Sequence, residues 1–251
     1  LCGLSTSSAW DGVHEVLGSR LSRKTLLPVH SSLTGTLWFT FSLLRDGKVY
    51  SVYLRYDPVS LTLVAGTTPD GKAVHDIGPE TLNSTSRLNL VRPLFGTHFF
   101  NIQTIANAMK YDPPFEMFMA YLFHNHVCPG VSPSWLISDH VYREFPLGED
   151  ERYIFLTTVN YCKEDGLIYL LGLSSGGGTY YNLRLKPGED TTSQLISGGN
   201  LEGILIRWND ELQVGRAAVI SFRWPRWDTT GLATDEARRE AQIGGFIRYY
   251  K

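Results

Sequence analysis

The order in which strand and helix patterns follow one another constrains the fold of this chain most strongly. Between residues 37 and 65, three short segments alternate bulky apolar and small polar side chains. The turn sequences Arg45-Asp46-Gly47 and Asp57-Pro58 separate them, which predicts an antiparallel meander. Helical periodicity follows, and strand patterns return towards the C-terminus. Strands, then helices, then strands predict an α+β fold, in which an antiparallel sheet packs with a few helices, rather than a parallel α/β sheet.

The limits of the later elements follow from periodicity, helix-capping residues and prolines in first turns. The predicted helices are 98–109, capped by Thr97, then 112–123, 132–145, 162–171 and 234–241, and the predicted strands are 153–159, 203–208 and 217–224. These patterns divide the chain into four parts. They are an N-terminal extension (1–30), a β-rich segment (31–93), an α+β core (94–230) and a C-terminal helical tail (231–251).

The charge balance bears on the class of partner. The chain has 23 basic and 25 acidic residues, and the basic residues do not cluster. This pattern gives no reason to expect binding to nucleic acid or to an anionic membrane. No apolar run reaches the length of a membrane span. Arg238 and Arg239 lie beside Glu236 and Glu240, which predicts a solvated helix face.

Two features bear on the compartment. The chain begins at Leu1 without a methionine, and no cleavable signal is visible. The triplet Asn83-Ser84-Thr85 is a glycosylation sequon in a predicted polar loop. We therefore expect the cell surface or the exterior rather than the cytoplasm.

The cysteine count is three, with Cys2, Cys128 and Cys162. An odd number in a chain of this length is not typical of a disulfide framework. Functional thiols or metal ligands are the better interpretation for at least two of them. Cys2 is interpreted as a spectator, with an intermolecular disulfide as the alternative.

The densest group of chemically active side chains is the segment His124-Asn125-His126-Val127-Cys128-Pro129-Gly130, which lies between two predicted helices. His and Cys both bind zinc and other borderline metals well. Cys128 lies shortly before a predicted helix start, where the helix dipole favours a thiolate. The expected metal ligands here are His124, His126 and Cys128.

A second group, Cys162-Lys163-Glu164-Asp165, begins another predicted helix. The helix-start argument applies to Cys162 as it does to Cys128. Cys162 is therefore the fourth expected ligand. Asp165 lies one turn further on, where it can bind metal, orient a histidine or cap the helix.

Three other interpretations of these residues stay open. A single His or a buried Cys often serves packing alone. Cys128 and Cys162 can also form a disulfide, which is the main structural alternative. In an enzyme, Cys128 would be the nucleophile and His126 or His124 its base, or a metal-bound water would act with Asp165 or Glu164 as base. The sequence shows no complete catalytic triad.

The first group resembles the signature of the FmdE family, which reads His-Gly-His-x-Cys-Pro-Gly. That family's second block is Cys-x-x-Asp followed by a loop that reads Gly-Cys-Thr-x-Gly-Lys-Gly. This chain has Cys162 and Asp165 and then Gly172-Leu173-Ser174-Ser175-Gly176-Gly177-Gly178. The spacing within each block agrees, and the resemblance covers roughly residues 97–225.

Several positions depart from the family pattern. Asn125 replaces the glycine between the histidines, Ser134 replaces another glycine, and Leu136 fills the position of an arginine. In the loop, Leu173 replaces a cysteine and Gly177 replaces a lysine. The predicted ligands are thus retained, whereas the charged and thiol groups of the loop are lost.

The resemblance implies an α+β core that forms dimers, a zinc-binding tendency and a link to methanogens and other anaerobes, but no known reaction. A four-cysteine zinc finger, which relatives can carry after the core, is excluded because no cysteine follows Cys162. The β-rich segment 31–93 lies outside the resemblance. It is interpreted as an added sheet or as an interaction surface.

The predicted function is therefore an FmdE-like module that binds zinc or another divalent transition metal, with a small ligand at the metal, in a homo-oligomer. The alternatives are a cell-surface or filament-forming structural subunit that kept the fold, and a Cys- or metal-dependent hydrolase or transferase. His75 and His98 are further ligand candidates. The segment Ser174–Thr179 is interpreted as a flexible connection rather than as a loop that binds phosphate. The segment Trp224–Trp227 is interpreted as a packing segment.

Overall fold

A computed structural model of the chain describes residues 6–22, 24–30, 32, 34–157, 160–183 and 200–250. The predicted α+β class is confirmed, since helices and antiparallel or mixed sheets are both present. The described residues form two compact units. The first unit comprises the chain up to 115, with 125–127 and 229–247, and the second comprises 116–124, 128–228 and the residues from 248.

The helices and strands have the following limits. The helices are α1 (Ser7–Leu17), α2 (Pro79–Leu82), α3 (Thr85–Val91), α4 (Phe99–Met109), α5 (Phe115–Phe123), α6 (Pro133–Glu144), α7 (Lys163–Leu170) and α8 (Asp235–Tyr249). The strands are β1 (Trp38–Arg45), β2 (Lys48–Asp57), β3 (Thr62–Ala65), β4 (Val74–Asp76), β5 (Glu151–Thr157), β6 (Tyr180–Asn182), β7 (Asn200–Asn209) and β8 (Val214–Phe222). Short 3₁₀ helices lie at Gly18–Arg20 and Arg92–His98. None of the described helices combines the length and the apolar character that crossing a membrane requires.

The sheet of the first unit is the predicted meander. Its strand order is β1-β2-β3, all antiparallel, and the short strand β4 also pairs with β2. The alternation along β2 places Val49, Ser51 and Tyr53 on the buried face. Helical residues such as Phe95 and Phe99 complete this core, which explains why the amphipathic segments after β4 fold as helices against the sheet.

The sequon does not lie in a polar loop, contrary to expectation. Asn83 is the C-cap of α2, and Ser84 is the N-cap of α3, where its hydroxyl accepts a hydrogen bond from Arg87 N. The side-chain oxygen of Asn83 accepts a hydrogen bond from Ala233 N at 2.7 Å. The triplet thus joins two helices that the periodicity alone did not predict.

The second unit contains a mixed sheet with the order β6-β5-β7-β8. β5 is antiparallel to β7 and parallel to β6, and β7 is antiparallel to β8. Apolar residues of α6 and α7 pack on this sheet around Phe155 and Leu205, which are buried. The two helices also contact each other closely, because a Cβ on Gly166 would lie 2.0 Å from Ser134 Oγ.

The structure changes several sequence predictions. The N-cap of α4 is His98 rather than Thr97. α8 continues to Tyr249 rather than ending near 241. The solvated face predicted for this helix is wrong at Glu240, which is buried and accepts hydrogen bonds from Tyr111 and Lys110. The predicted strand end at 158–159, like Cys2, lies outside the described residues.

Candidate metal centre

The two histidines of the motif leave α5 through a turn at its C-terminus. His124 N still donates to Ala120 O at 3.1 Å, as in a helix. Asn125 then adopts φ +71°, in the left-handed region. Asparagine is among the few residues other than glycine that visit this region readily. The backbone therefore explains why Asn125 can stand where the FmdE signature has a glycine.

Hydrogen bonds from the start of α6 hold the backbone of Cys128. Val131 N donates to Cys128 O at 3.3 Å, and Ser132 Oγ donates to the same oxygen at 3.2 Å. Ser132 Oγ is also 2.8 Å from the hydroxyl of Tyr121, which is fully buried on α5. Ser132 therefore links the backbone of Cys128 to Tyr121 of the preceding helix.

Three predicted ligands come together. The candidate ligand atoms of His124, His126 and Cys128 all lie within 4.8 Å of one another. Cys128 is buried and the two histidines are half-buried. The side chains of these residues can therefore hold a metal ion.

Cys162, the fourth predicted ligand, is the N-cap residue of α7. Its side chain lies close enough to those of Cys128 and His124 to raise the pKa of both. Cys128 and Cys162 are not joined in a disulfide. The approach of the two chain segments requires a glycine, because a Cβ on Gly130 would lie 3.0 Å from Cys162 Cβ and 3.1 Å from its sulfur.

His124 is oriented by a carboxylate. Its Nδ1 is 2.6 Å from Asp165 Oδ2, and its Nε2 is buried. Burial lowers the pKa of His124, but the hydrogen bonds and charges of Asp165 and Cys162 outweigh that effect and raise the pKa to about 9. Of the three roles considered for Asp165, the geometry matches the orientation of a histidine.

The expected lowering of the Cys128 pKa is wrong. The hydrogen bond with Cys162 and the burial of the thiol raise the pKa of Cys128 above its ordinary value. The backbone amides of Val131 and Gly130 lower the pKa, but less. The neighbouring sulfur therefore has a larger effect on this thiol than the start of the helix.

His126 makes a different set of contacts. Its ring packs on that of Phe100 with 4.9 Å between centroids. The backbone beside it is anchored on α4, since Asn101 Nδ2 donates to Asn125 O at 2.7 Å and Val127 N donates to Thr104 Oγ1 at 3.2 Å. His126 is thus positioned by aromatic packing and a fixed backbone, whereas His124 is positioned by a carboxylate.

A buried charged cluster at the start of α7 was not predicted from the sequence. Lys163 Nζ lies 2.6 Å from Glu164 Oε1 and 2.6 Å from Glu202 Oε2, and all three residues are buried. Tyr180 donates to Glu164 Oε2 at 3.0 Å. Burial raises the pKa of Glu164, and burial raises that of Tyr180 to about 12. The signal that could have indicated the cluster was Glu202 within the apolar pattern of β7.

The other candidate residues serve different roles. His75 is buried, with Nε2 3.1 Å from Gly66 O, and His98 Nδ1 is 2.8 Å from the hydroxyl of Tyr53. Neither belongs to the metal-competent group. Trp224 packs edge-on against Tyr161 with 5.9 Å between centroids, in agreement with its predicted packing role.

The glycine-rich loop after α7 forms a compact turn. Ser174 N donates to Thr179 Oγ1 at 2.8 Å, Thr179 N donates to Ser174 O at 3.0 Å, and Gly177 N donates to Ser174 Oγ at 3.2 Å. These amides are engaged within the loop, which argues against a phosphate cradle.

Comparison with known proteins agrees with the motif. Residues 123–241 match the family model described as FmdE, Molybdenum formylmethanofuran dehydrogenase operon. The predicted resemblance to the FmdE family is therefore confirmed over this region. The matched range contains both the His124–Gly130 and the Cys162–Asp165 segments, and it starts and ends later than the resemblance predicted from the motifs. No curated protein and no solved structure gives a significant match to the chain.

Two departures from the FmdE pattern have structural explanations. Ser134, which replaces a glycine, is buried against Gly166 of α7. Leu173, which replaces the loop cysteine, is a member of the second unit's apolar core. A side chain that offers a thiol in the FmdE pattern therefore serves packing in this chain.

Proposed function

We propose that this protein is a metal-binding module that holds one zinc or other divalent transition metal ion through His124, His126, Cys128 and Cys162. The observation that carries the proposal is the convergence of His124, His126 and Cys128 within 4.8 Å. Imidazole and thiolate are ligands that zinc prefers. The FmdE match over the same residues supports the assignment.

The spacing of the ligand atoms suits a metal site after a small contraction. Bonds of about 2.0 Å to nitrogen and about 2.3 Å to sulfur place tetrahedral ligand atoms about 3.5 Å apart. The largest separation of 4.8 Å must therefore shorten by about 1 Å. Because hydrogen bonds hold the carbonyl of Cys128, rotation of the side chains rather than movement of the backbone would supply that change.

A small ligand at the metal is the second part of the proposal. His124 is held by Asp165, and Cys128 and Cys162 act on the two sides of the same cluster. If His124 or His126 binds the metal together with Cys128 and Cys162, one coordination position stays open for an exogenous donor.

Metal content is the test. Protein purified without a histidine tag is analysed by plasma mass spectrometry, beside Cys128→Ser, Cys162→Ser and Cys2→Ser. We expect about one equivalent of metal in the native protein, loss of it in the first two variants, and retention in Cys2→Ser. His140→Ala, on the exposed side of α6, is the matched control for His124→Ala.

Other outcomes would change the proposal. Native protein without metal, whose thiols react only after reduction, would indicate a disulfide and a structural subunit. Native protein without metal, in which an electrophile labels Cys128 alone, would indicate a thiol enzyme. For the open position, the visible spectrum of the cobalt-substituted protein should change on addition of azide. An unchanged spectrum would indicate a closed, structural site.

A further inference from the structure

We propose that Lys163 is a positioning residue that holds the sulfur of Cys162 against that of Cys128. Lys163 binds no metal itself. Its ammonium group fixes the first turn of α7, whose N-cap residue is Cys162. The consequence for metal affinity rests on the proposed function, whereas the positioning of the two sulfurs does not and can be measured in metal-free protein.

Two ion pairs fix the side chain of Lys163. Its Nζ lies 2.6 Å from Glu164 Oε1 and 2.6 Å from Glu202 Oε2. The side chain of Lys163 is 1% exposed, and those of the two glutamates are 6% and 3% exposed. Because water cannot replace a partner at this depth, any displacement of the ammonium group leaves a buried carboxylate without its cation. Lys163 is therefore restricted much more strongly than a lysine in a surface ion pair.

The two glutamates connect Lys163 to the sheet of the second unit. Glu202 belongs to β7, and Tyr180 of β6 donates to Glu164 Oε2 at 3.0 Å. The strand between them is β5, whose Thr157 donates through Oγ1 to the backbone oxygen of Glu202 at 3.1 Å. The start of α7 is therefore held by three neighbouring strands as well as by the packing of the helix.

An irregularity in β7 directs Glu202 into the core. The register between β7 and β8 shifts between Leu201 and Gly203, which leaves Glu202 as an extra residue. An extra residue of this kind is a β-bulge, which redirects a side chain and is common beside functional sites. Glu202 and Gly203 are consequently both buried, in place of the strict alternation of a regular strand. The sheet thus loses regular pairing at the residue that binds Lys163.

The same turn of α7 carries Cys162 against the segment that contains Cys128. A Cβ on Gly130 would lie 3.1 Å from Cys162 Sγ, so this sulfur contacts the backbone two residues after Cys128. Cys162 has helical backbone angles (φ −53°, ψ −32°). Its side chain and that of Lys163 therefore project about 100° apart around the helix axis. Because the ion pairs of Lys163 fix the rotation of α7 about this axis, they also fix the direction of the Cys162 side chain.

The effective concentration of the two thiols tests this positioning. Metal-free protein in a Cys2→Ser background is equilibrated with glutathione. Two protein thiols and one oxidised glutathione give the disulfide and two reduced glutathione molecules, and the equilibrium constant reports how closely the two sulfurs are held. We expect Lys163→Met to lower this constant by about tenfold or more. Glu202→Gln should lower it less, because the amide oxygen still accepts a hydrogen bond from Lys163.

Leu205→Ala is the control for a loss of stability alone. Leu205 lies on β7 like Glu202, is fully buried and belongs to the apolar core. The cavity should destabilise the protein without changing the thiol equilibrium. All variants are compared at a temperature at which circular dichroism shows native protein. Equal falls in Leu205→Ala and Lys163→Met would overturn the proposal, and so would an unchanged constant in Glu202→Gln if Lys163→Met does not fold.

Cobalt binding gives a second readout. In Lys163→Met, the affinity for cobalt should fall about 10–100-fold and the thiolate-to-cobalt absorption should weaken, as expected when a ligand loses the group that orients it. Leu205→Ala should leave both quantities unchanged. If the native protein binds no metal, the proposed function fails, and the glutathione equilibrium alone decides whether Lys163 positions Cys162.

Discussion

The two units of this protein differ in the environment of a lysine ion pair. The first unit has apolar side chains exposed on its sheet, and its Lys24–Asp112 pair lies at the surface, although Lys110 also pairs with the buried Glu240. The second unit buries Lys163 with two glutamates next to the segment that carries Cys162. Buried charges are destabilising unless they are fully paired, so the lysine and the two glutamates depend on one another for their stability.

Removal of the central lysine should give the largest difference between the units. Lys163→Met leaves Glu164 and Glu202 buried without their cation, and we expect the free energy of unfolding to fall by about 3–5 kcal/mol. Lys24→Met makes the same change in a pair that is exposed, and the loss should be less than about 1 kcal/mol. Urea denaturation of both variants provides the comparison. An equal fall in the free energy of unfolding for both variants would show that burial does not make the Lys163 pairs more important than the Lys24 pair.

The second largest effect is expected at Asp165, the carboxylate that orients the proposed ligand His124. Asp165→Asn should weaken metal binding about 10–100-fold, as loss of a partner that orients a ligating histidine does. The pH dependence provides a second readout. Metal must displace the proton of His124, whose pKa is about 9, as well as the protons of the thiols. Affinity should therefore rise with pH, and the contribution of His124 to that rise should level off near its pKa.

The asparagine variant should change that profile. Without the Asp165 charge the pKa of His124 falls, and the contribution of His124 to the rise in affinity should level off at a lower pH. Asp139→Asn, on the exposed side of α6, is a control that should leave the profile unchanged. An unaltered profile in Asp165→Asn would contradict a role for this carboxylate at His124.

The smallest effect is expected at the left-handed residue of the motif. Asn125→Ala should destabilise the protein by about 1 kcal/mol and weaken metal retention, whereas Asn125→Gly should preserve both. Asp46, with φ +51° in the β1–β2 turn, is the matched position in the first unit. Asp46→Ala should lower stability similarly without an effect on metal. Calorimetry measures the stability and metal titration measures the metal retention. Equal metal loss in both alanine variants would contradict a specific role of the Asn125 backbone in metal binding.

Sequence patterns were sufficient for much of the architecture. The meander, the strands β5, β7 and β8, and the helices α4, α6 and α7 follow from alternation, the proline in the first turn of α6 and Gly172, which has φ +66° after α7. The predicted start of α5 at Asp112 is wrong, since the helix begins at Phe115, after the two prolines. α1 to α3, β4 and β6 were not predicted. The strands β4 and β6 have three residues each, which is too short for a periodic pattern, and β6 pairs in parallel with a strand distant in sequence.

The candidate site was predictable in its residue types but not in its electrostatics. The residues His124, His126, Cys128 and Cys162 could be predicted because residue type and spacing within a short segment are visible in the sequence. The pKa of Cys128 depends on its distance from Cys162, which only the tertiary fold determines. The buried Lys163 cluster was missed for the same reason, since a lysine followed by a glutamate at a helix start usually indicates a solvent-exposed turn.

The separation of Cys128 and Cys162 along the chain has a further consequence. The intervening segment includes all of α6 and β5, so a metal ion bound to both sulfurs closes this segment into a covalent-like loop. When the link is a disulfide, closing a loop of this length raises the free energy of the unfolded chain by about 4 kcal/mol, because the chain loses conformational entropy. Because such a cross-link is reversible, the free energy of unfolding of the second unit would depend on the supply of metal.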